Sequence, residues 1–156
     1  MPMRKYIYIF ILIPFLISNC DYSPIYSNKD NYNFFIEKIE FSGDAEINNL
    51  IDKKLKKYQT IKRERKFSIL STSSYKKVSQ SKNLSGKTTN YLIVIGITFQ
   101  IKKEDKLNTL KFEEEFLIKN FSNKFEENNL EKIKKENSID LIINRLITQI
   151  SQMWWF

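Results

Sequence analysis

The sequence predicts an α+β domain in which two helices pack on one face of a four-stranded mixed sheet, in the order β-α-β-β-β-α. Four segments carry apolar residues at every second position, and two carry them at helical spacing. One connection between strands is long enough to hold a helix, while the later two are short polar turns, so a parallel crossover followed by antiparallel pairing is expected. The 156 residues suit one modest domain, and 42% hydrophobic content with 12 Phe and 8 Tyr is enough to fill a core.

Residues 34–41 alternate imperfectly, with Phe35, Ile39 and Phe41 on one side, and read as a first strand ended by Ser42-Gly43-Asp44. Asp44 is a candidate N-cap, and Ile47, Leu50, Ile51, Leu55 and Tyr58 then recur at helical spacing over 45–59. Phe67, Ile69, Ser71, Ser73 and Tyr75 follow at period two in a second strand over 66–78. A turn containing Gly86 separates it from the strongest strand signal in the chain, Tyr91, Ile93, Ile95, Ile97, Phe99 and Ile101. Leu92 and Val94 make the start of this third strand apolar on both faces, as expected where both are covered. The 103–108 turn precedes a fourth strand with Leu110, Phe112, Phe116 and Ile118 in alternation. Leu130, Ile133, Ile139, Ile142, Ile143, Leu146, Ile147 and Ile150 fit a long helix over about 128–152, with a kink or frayed turn expected at Asn137-Ser138.

Ahead of this domain lies a leader. Arg4 and Lys5 precede a twelve-residue uncharged apolar run, residues 6–17, which has the shape of a secretory signal and is short of the roughly 20 residues that cross a bilayer. Cys20, the only cysteine, stands directly behind it in a position resembling the bacterial lipobox, where the thiol of the first mature residue receives a diacylglycerol. The expected organisation is a lipoprotein signal peptide at 1–19, a lipidated tether at 20–33 and the folded domain at 34–156. Two or more acyl chains hold a protein stably on a membrane. Asn19 departs from the small residue usual before such a cysteine, and Asp21 matches a signal that retains lipoproteins in the inner membrane in one sorting system.

With no His and a single Cys, the usual zinc sites, Cys-His nucleophiles and Ser-His-Asp triads have no residues to build them, and the expectation is a protein that binds rather than an enzyme, with no cofactor and no metal. Glu113-Glu114-Glu115 has no general-acid partner, and Ser85-Gly86-Lys87-Thr88 lacks the upstream glycine of a phosphate loop. Charge is the informative feature. Ten basic residues lie between Lys62 and Lys103 against Glu64 alone. Lys76, Lys77, Lys82 and Lys87 fall where a hairpin presents them together beside Tyr75 and Tyr91, suited to a phosphorylated ligand. Simple solvation of a lysine-rich surface is the competing reading. Nucleic acid would suit the charge, but an exported chain seldom meets it.

Cys20 followed by Asp21-Tyr22-Ser23-Pro24-Ile25-Tyr26 resembles the mature start of the lipopolysaccharide-assembly lipoproteins of the LptE family, in which Cys, a small residue, an aromatic, a variable residue, Pro, an aliphatic residue and Tyr recur. The element order agrees with that family over the whole mature chain, and Ile143-Asn144-Arg145-Leu146 stands in the last helix where the family often has an aliphatic residue and then Arg-Leu. The resemblance implies a non-enzymatic, palmitate-bearing lipoprotein on the periplasmic face of the outer membrane, a subunit of the lipopolysaccharide-transport translocon. It implies two partners, an LptD-like β-barrel that it plugs and lipopolysaccharide that it contacts, with Lys76, Lys77, Lys82 and Lys87 as candidates to meet lipid A phosphate. A generic envelope lipoprotein serving as scaffold or adaptor, with no lipid ligand, is the alternative. If both helices share one sheet face, Leu92 and Val94 lie on the other, which suits docking in a barrel, and a curved sheet covering them itself is equally consistent. Trp154-Trp155-Phe156 suits capping the core, anchoring at a membrane interface or touching the barrel, and core or partner contact is favoured because the preceding helix must dock.

Overall fold

In the computed structural model, residues 32–153 are described. The expected signal peptide, Cys20, nearly all of the expected tether and Trp154-Trp155-Phe156 lie outside them. The domain is α+β, as the periodicities predict: β1 (Phe35–Gly43), α1 (Ala45–Leu55) running into a 3₁₀ turn (Lys56–Gln59), β2 (Lys66–Lys82), β3 (Thr88–Lys103), β4 (Lys106–Lys119) and α2 (Lys124–Gln152). The sheet order is β1-β2-β3-β4, with β1 parallel to β2 and the two later pairings antiparallel.

Gly43 makes the crossover possible. Its φ of +92° suits glycine, and a Cβ there would stand 1.9 Å from the Ser73 carbonyl oxygen, so only a bare backbone can pass so close to β2 and turn away. Asp44 then caps α1, its Oδ1 accepting from the Ile47 amide at 2.9 Å. Ile47, Ile51, Leu55 and Tyr58 are all buried on the sheet.

The third strand organises the core. Ile93, Ile95, Ile97, Phe99 and Ile101 are at most 2% exposed and form one side of β3, beneath both helices. Each such side chain contributes roughly 1.5–3 kcal/mol by leaving water. Phe34 stacks on Tyr58 at 5.6 Å and meets Phe67 edge-on at 6.0 Å, closing the core at the β1 end.

Three expectations are corrected. The strands of the β2–β3–β4 meander run further than their apolar alternation, because backbone pairing continues through the Ser/Thr-rich ends of β2 and β3, residues 79–82 and 88–90, where the Ser79 hydroxyl meets Thr88 and the Ser81 hydroxyl meets Thr89. The last helix starts at Lys124, capped by Asn123 Oδ1 on the Phe125 amide, and passes Asn137-Ser138 without a break, since Ser138 is a small residue buried on the inner side. Ile133 is 55% exposed rather than core. The inward stripe of α2, followed back from Ile139 in steps of four, meets Lys135, Glu131 and Glu127 instead.

Candidate functional site

Both helices lie over one sheet face, so the opposite face is open among the described residues. Strand parity places Leu92 and Val94 there, both part-exposed, and adds residues the sequence reading passed over. Val78 pairs with Leu92, and Leu92 with Leu117, giving an apolar row across three strands. Val78 is 50% exposed and Leu117 52%. The next row toward the core is Lys76, Val94 and Glu115, and Lys119 stands one step beyond Leu117 on the same face. An apolar residue out of phase in an otherwise wet face, Val78 or Leu117, is the signal that would have found this row.

The hairpin tip completes this distal end. Asn83 Oδ1 accepts from the amides of Ser85 and Lys87 and from the Ser85 hydroxyl, and Gly86 takes a φ of +78°. The turn so fixed leaves Leu84 wholly exposed, with Lys82 and Lys87 exposed on either side of it. Among the described residues, Lys76, Lys82, Lys87 and Lys119 make no ion pair.

Lys77 is placed differently from the other three candidate lysines. It points to the helix side, where its Nζ meets Glu131 Oε2 at 2.7 Å and Glu127 Oε1 at 3.2 Å and lies 4.7 Å from the centre of the Tyr91 ring. Glu127 also meets Lys124 at 2.7 Å and accepts from the Phe121 amide at 3.1 Å. The Tyr75 hydroxyl donates to Glu131, and Lys135 lies over the Tyr75 ring while reaching Glu46 of α1 at 2.7 Å. Lys124 holds the Glu127 carboxyl below its ordinary value against the penalty of burial, with Lys77 and the Phe121 amide adding to it. Burial opposes ionisation of Glu131, but the hydrogen bonds from Lys77 and Tyr75 outweigh it and the carboxyl is lowered as well. Burial, then the donated bond to Glu131, pushes the Tyr75 phenol up. This network fastens the first three turns of α2 to the hairpin.

The remaining basic residues of the 62–103 segment do not join the distal group. Lys66 and Lys82 stand roughly 50 Å apart along β2, so the segment splits between the two ends of the sheet. At the proximal end, Arg65 Nη2 donates to the carbonyls of Ile150 and Met153, satisfying the C-terminus of α2, and Lys66 faces Glu37 at 3.9 Å. Arg145 of the Arg-Leu pair bonds Glu114 of β4 at 2.6 Å, which ties the long helix to the edge of the sheet. Among the described residues no group of three or more Cys, Asp or Glu is placed to hold a metal ion.

No family model and no curated protein matches the chain. Solved structures do. The rare lipoprotein B of Shewanella oneidensis aligns with a TM-score of 0.54 at 14% identity over 74% of this chain and 95% of that one. The uncharacterized lipoprotein B of Nitrosomonas europaea aligns with a TM-score of 0.50 at 10% identity over 79% and 88%. At such identities the likeness establishes architecture: this chain has the α+β fold found in these two bacterial lipoproteins.

Proposed function

We propose that the protein is an envelope lipoprotein, acylated at Cys20, that serves as a non-enzymatic subunit of the lipopolysaccharide-transport translocon on the periplasmic face of the outer membrane. It occupies an LptD-like β-barrel and contacts lipopolysaccharide as that lipid is transferred. The Cys20–Tyr26 motif and the shared fold support the lipoprotein assignment. One observation carries the ligand reading: the open face joins an apolar row, Val78, Leu92 and Leu117, to lysines that make no ion pair among the described residues, Lys76 on the core side of the row and Lys82, Lys87 and Lys119 at the distal end. An anionic amphiphile offers acyl chain to the first and phosphate to the second, whereas a nucleic acid would use only the charge.

Three of the four lysines chosen from the sequence, Lys76, Lys82 and Lys87, keep that role, and Lys119 joins them. Lys77 serves the internal network. Replacing Lys76, Lys82, Lys87 and Lys119 by Gln is expected to weaken lipopolysaccharide binding by about 1 kcal/mol for each lysine removed, about fivefold apiece. Unchanged binding in the quadruple variant removes the ligand reading and leaves the scaffold alternative. Pull-down from detergent-solubilised envelope is expected to recover a large β-barrel, and recovery of soluble periplasmic proteins alone defeats the translocon reading. Mass spectrometry of the mature amino terminus with membrane fractionation reads acylation at Cys20 and whether Asp21 holds the protein in the inner membrane.

A further inference from the structure

β4 closes one side of the sheet, and among the described residues no strand pairs with its outer edge. The Asn120 amide donates to the Thr89 carbonyl at 2.8 Å, so by the alternation of an antiparallel ladder the even-numbered residues of β4 bond β3 and the odd-numbered ones turn their N–H and C=O outward. The outward carbonyl of Leu117 is met by Lys134 Nζ at 2.7 Å. A flat edge of 14 residues is a template for another strand, and natural edges are usually blunted by charge or proline. This one instead carries exposed leucines near both ends, Leu107 at 63% and Leu117 at 52%. Between them Lys111 and Glu113 are exposed, and neither makes an ion pair among the described residues. On the helix side Leu141, in line with Lys134 and Arg145 along α2, is 50% exposed beside the same edge.

The order of these residues selects an occupant. When an edge strand pairs antiparallel with its own copy about a two-fold axis, the residue on the axis fixes the register. With Lys111, Glu113 or Glu115 on the axis a charge faces itself, and with Glu114 there Glu113 faces Glu115. With Phe112 on the axis, Lys111 faces Glu113 of the second copy and Leu107 faces its Leu117, each pair occurring twice by symmetry. Opposite charges and apolar side chains set across neighbouring strands attract, whereas like charges there repel. The odd-numbered residues brought together in this register are the ones whose backbone groups point outward.

We propose that β4 pairs antiparallel with β4 of a second copy of this chain about a two-fold axis at Phe112, so that the two sheets become one and the apolar row of the open face runs on from Leu117 to Leu107 of the other copy. In the pair, the Leu107 amide of the second copy takes the place of Lys134 on the Leu117 carbonyl. The pairing needs neither lipopolysaccharide nor a barrel, so full-length protein purified in mild detergent under reducing conditions tests it by sedimentation velocity. The parent is expected to sediment with the mass of two chains. Lys111→Glu sets a glutamate opposite Glu113, and Glu113→Lys sets a lysine opposite Lys111. Each variant alone is expected to sediment as one chain, with far-ultraviolet circular dichroism unchanged, because both positions are exposed. An equimolar mixture of the two restores opposite charges at both pairs and is expected to sediment as two chains again. A monomeric parent, single variants that stay dimeric, or a mixture that stays monomeric overturns the proposal. If a charge variant unfolds, Thr109→Pro removes an outward amide without touching the β3 ladder, and a dimer that survives it overturns the proposal equally.

Discussion

Lys77→Met tests the charged half of the helix-sheet interface. The substitution keeps the apolar stem against Tyr91 and removes the ammonium that joins Glu127 and Glu131. An exposed ion pair contributes about 0–1 kcal/mol, and breaking a buried one costs about 3–5 kcal/mol. The Lys77 side chain is 29% exposed and its partners 14% and 4%, which places the loss between these limits at about 2 kcal/mol. For a domain of this size that is a fall in Tm of roughly 6–10 °C, read by circular dichroism at pH 7. Combining Lys77→Met with Glu131→Gln is expected to cost less than the two singles added, with a coupling of about 1 kcal/mol or more. A Tm within about 2 °C of the parent for Lys77→Met would refute the reasoning, because the lysine would then behave as a solvated surface charge. The pH dependence follows from the same groups. Glu127 and Glu131 are lowered in the folded state, so their contribution is complete above the unfolded carboxylate pKa of about 4.3 and is lost as pH falls through the lower folded values. Glu127→Gln with Glu131→Gln should therefore reduce stability at pH 7 and flatten its decline as pH falls below the unfolded carboxylate value.

Other substitutions probe single features. Ser71 is fully buried on β2 and its hydroxyl has no hydrogen-bond partner among the described residues, so Ser71→Ala should raise stability by about 1 kcal/mol in urea unfolding, and a loss of that size would mean that the hydroxyl is satisfied in solution. Gly43→Ala puts a Cβ 1.9 Å from the Ser73 carbonyl oxygen in a left-handed backbone, and a loss of about 3 kcal/mol or failure to fold is expected, against near-neutral behaviour if β1 can shift. Glu104 holds a φ of +54° in the two-residue turn between β3 and β4, so Glu104→Gly should stabilise by about 0.5–1 kcal/mol, and any destabilisation would mean that the side chain has a role there.

The elements were legible in the sequence because each is specified locally. Alternation from Tyr91 to Ile101 fixes the inner side of β3, the i, i+3, i+4 pattern from Ile47 to Tyr58 fixes the buried side of α1, and Asp44 before Ala45 marks where that helix begins. Connection lengths then admit few topologies, and the observed order is the simplest of them. Charge compensation is not local. The stretch from Arg65 to Lys103 carries no acid of its own, yet Lys77 is neutralised by Glu127 and Glu131, 50 and 54 residues away, because α2 crosses the hairpin there. The same packing turned Arg65 into a helix cap and separated two groups of lysines that are neighbours in sequence to opposite ends of one strand. It also made Lys119, a residue with no sequence signal, a neighbour of the apolar row that β2, β3 and β4 form together. Periodicity records which side of an element meets water. Which charges remain free depends on distances of a few ångströms between segments that only the folded chain brings together.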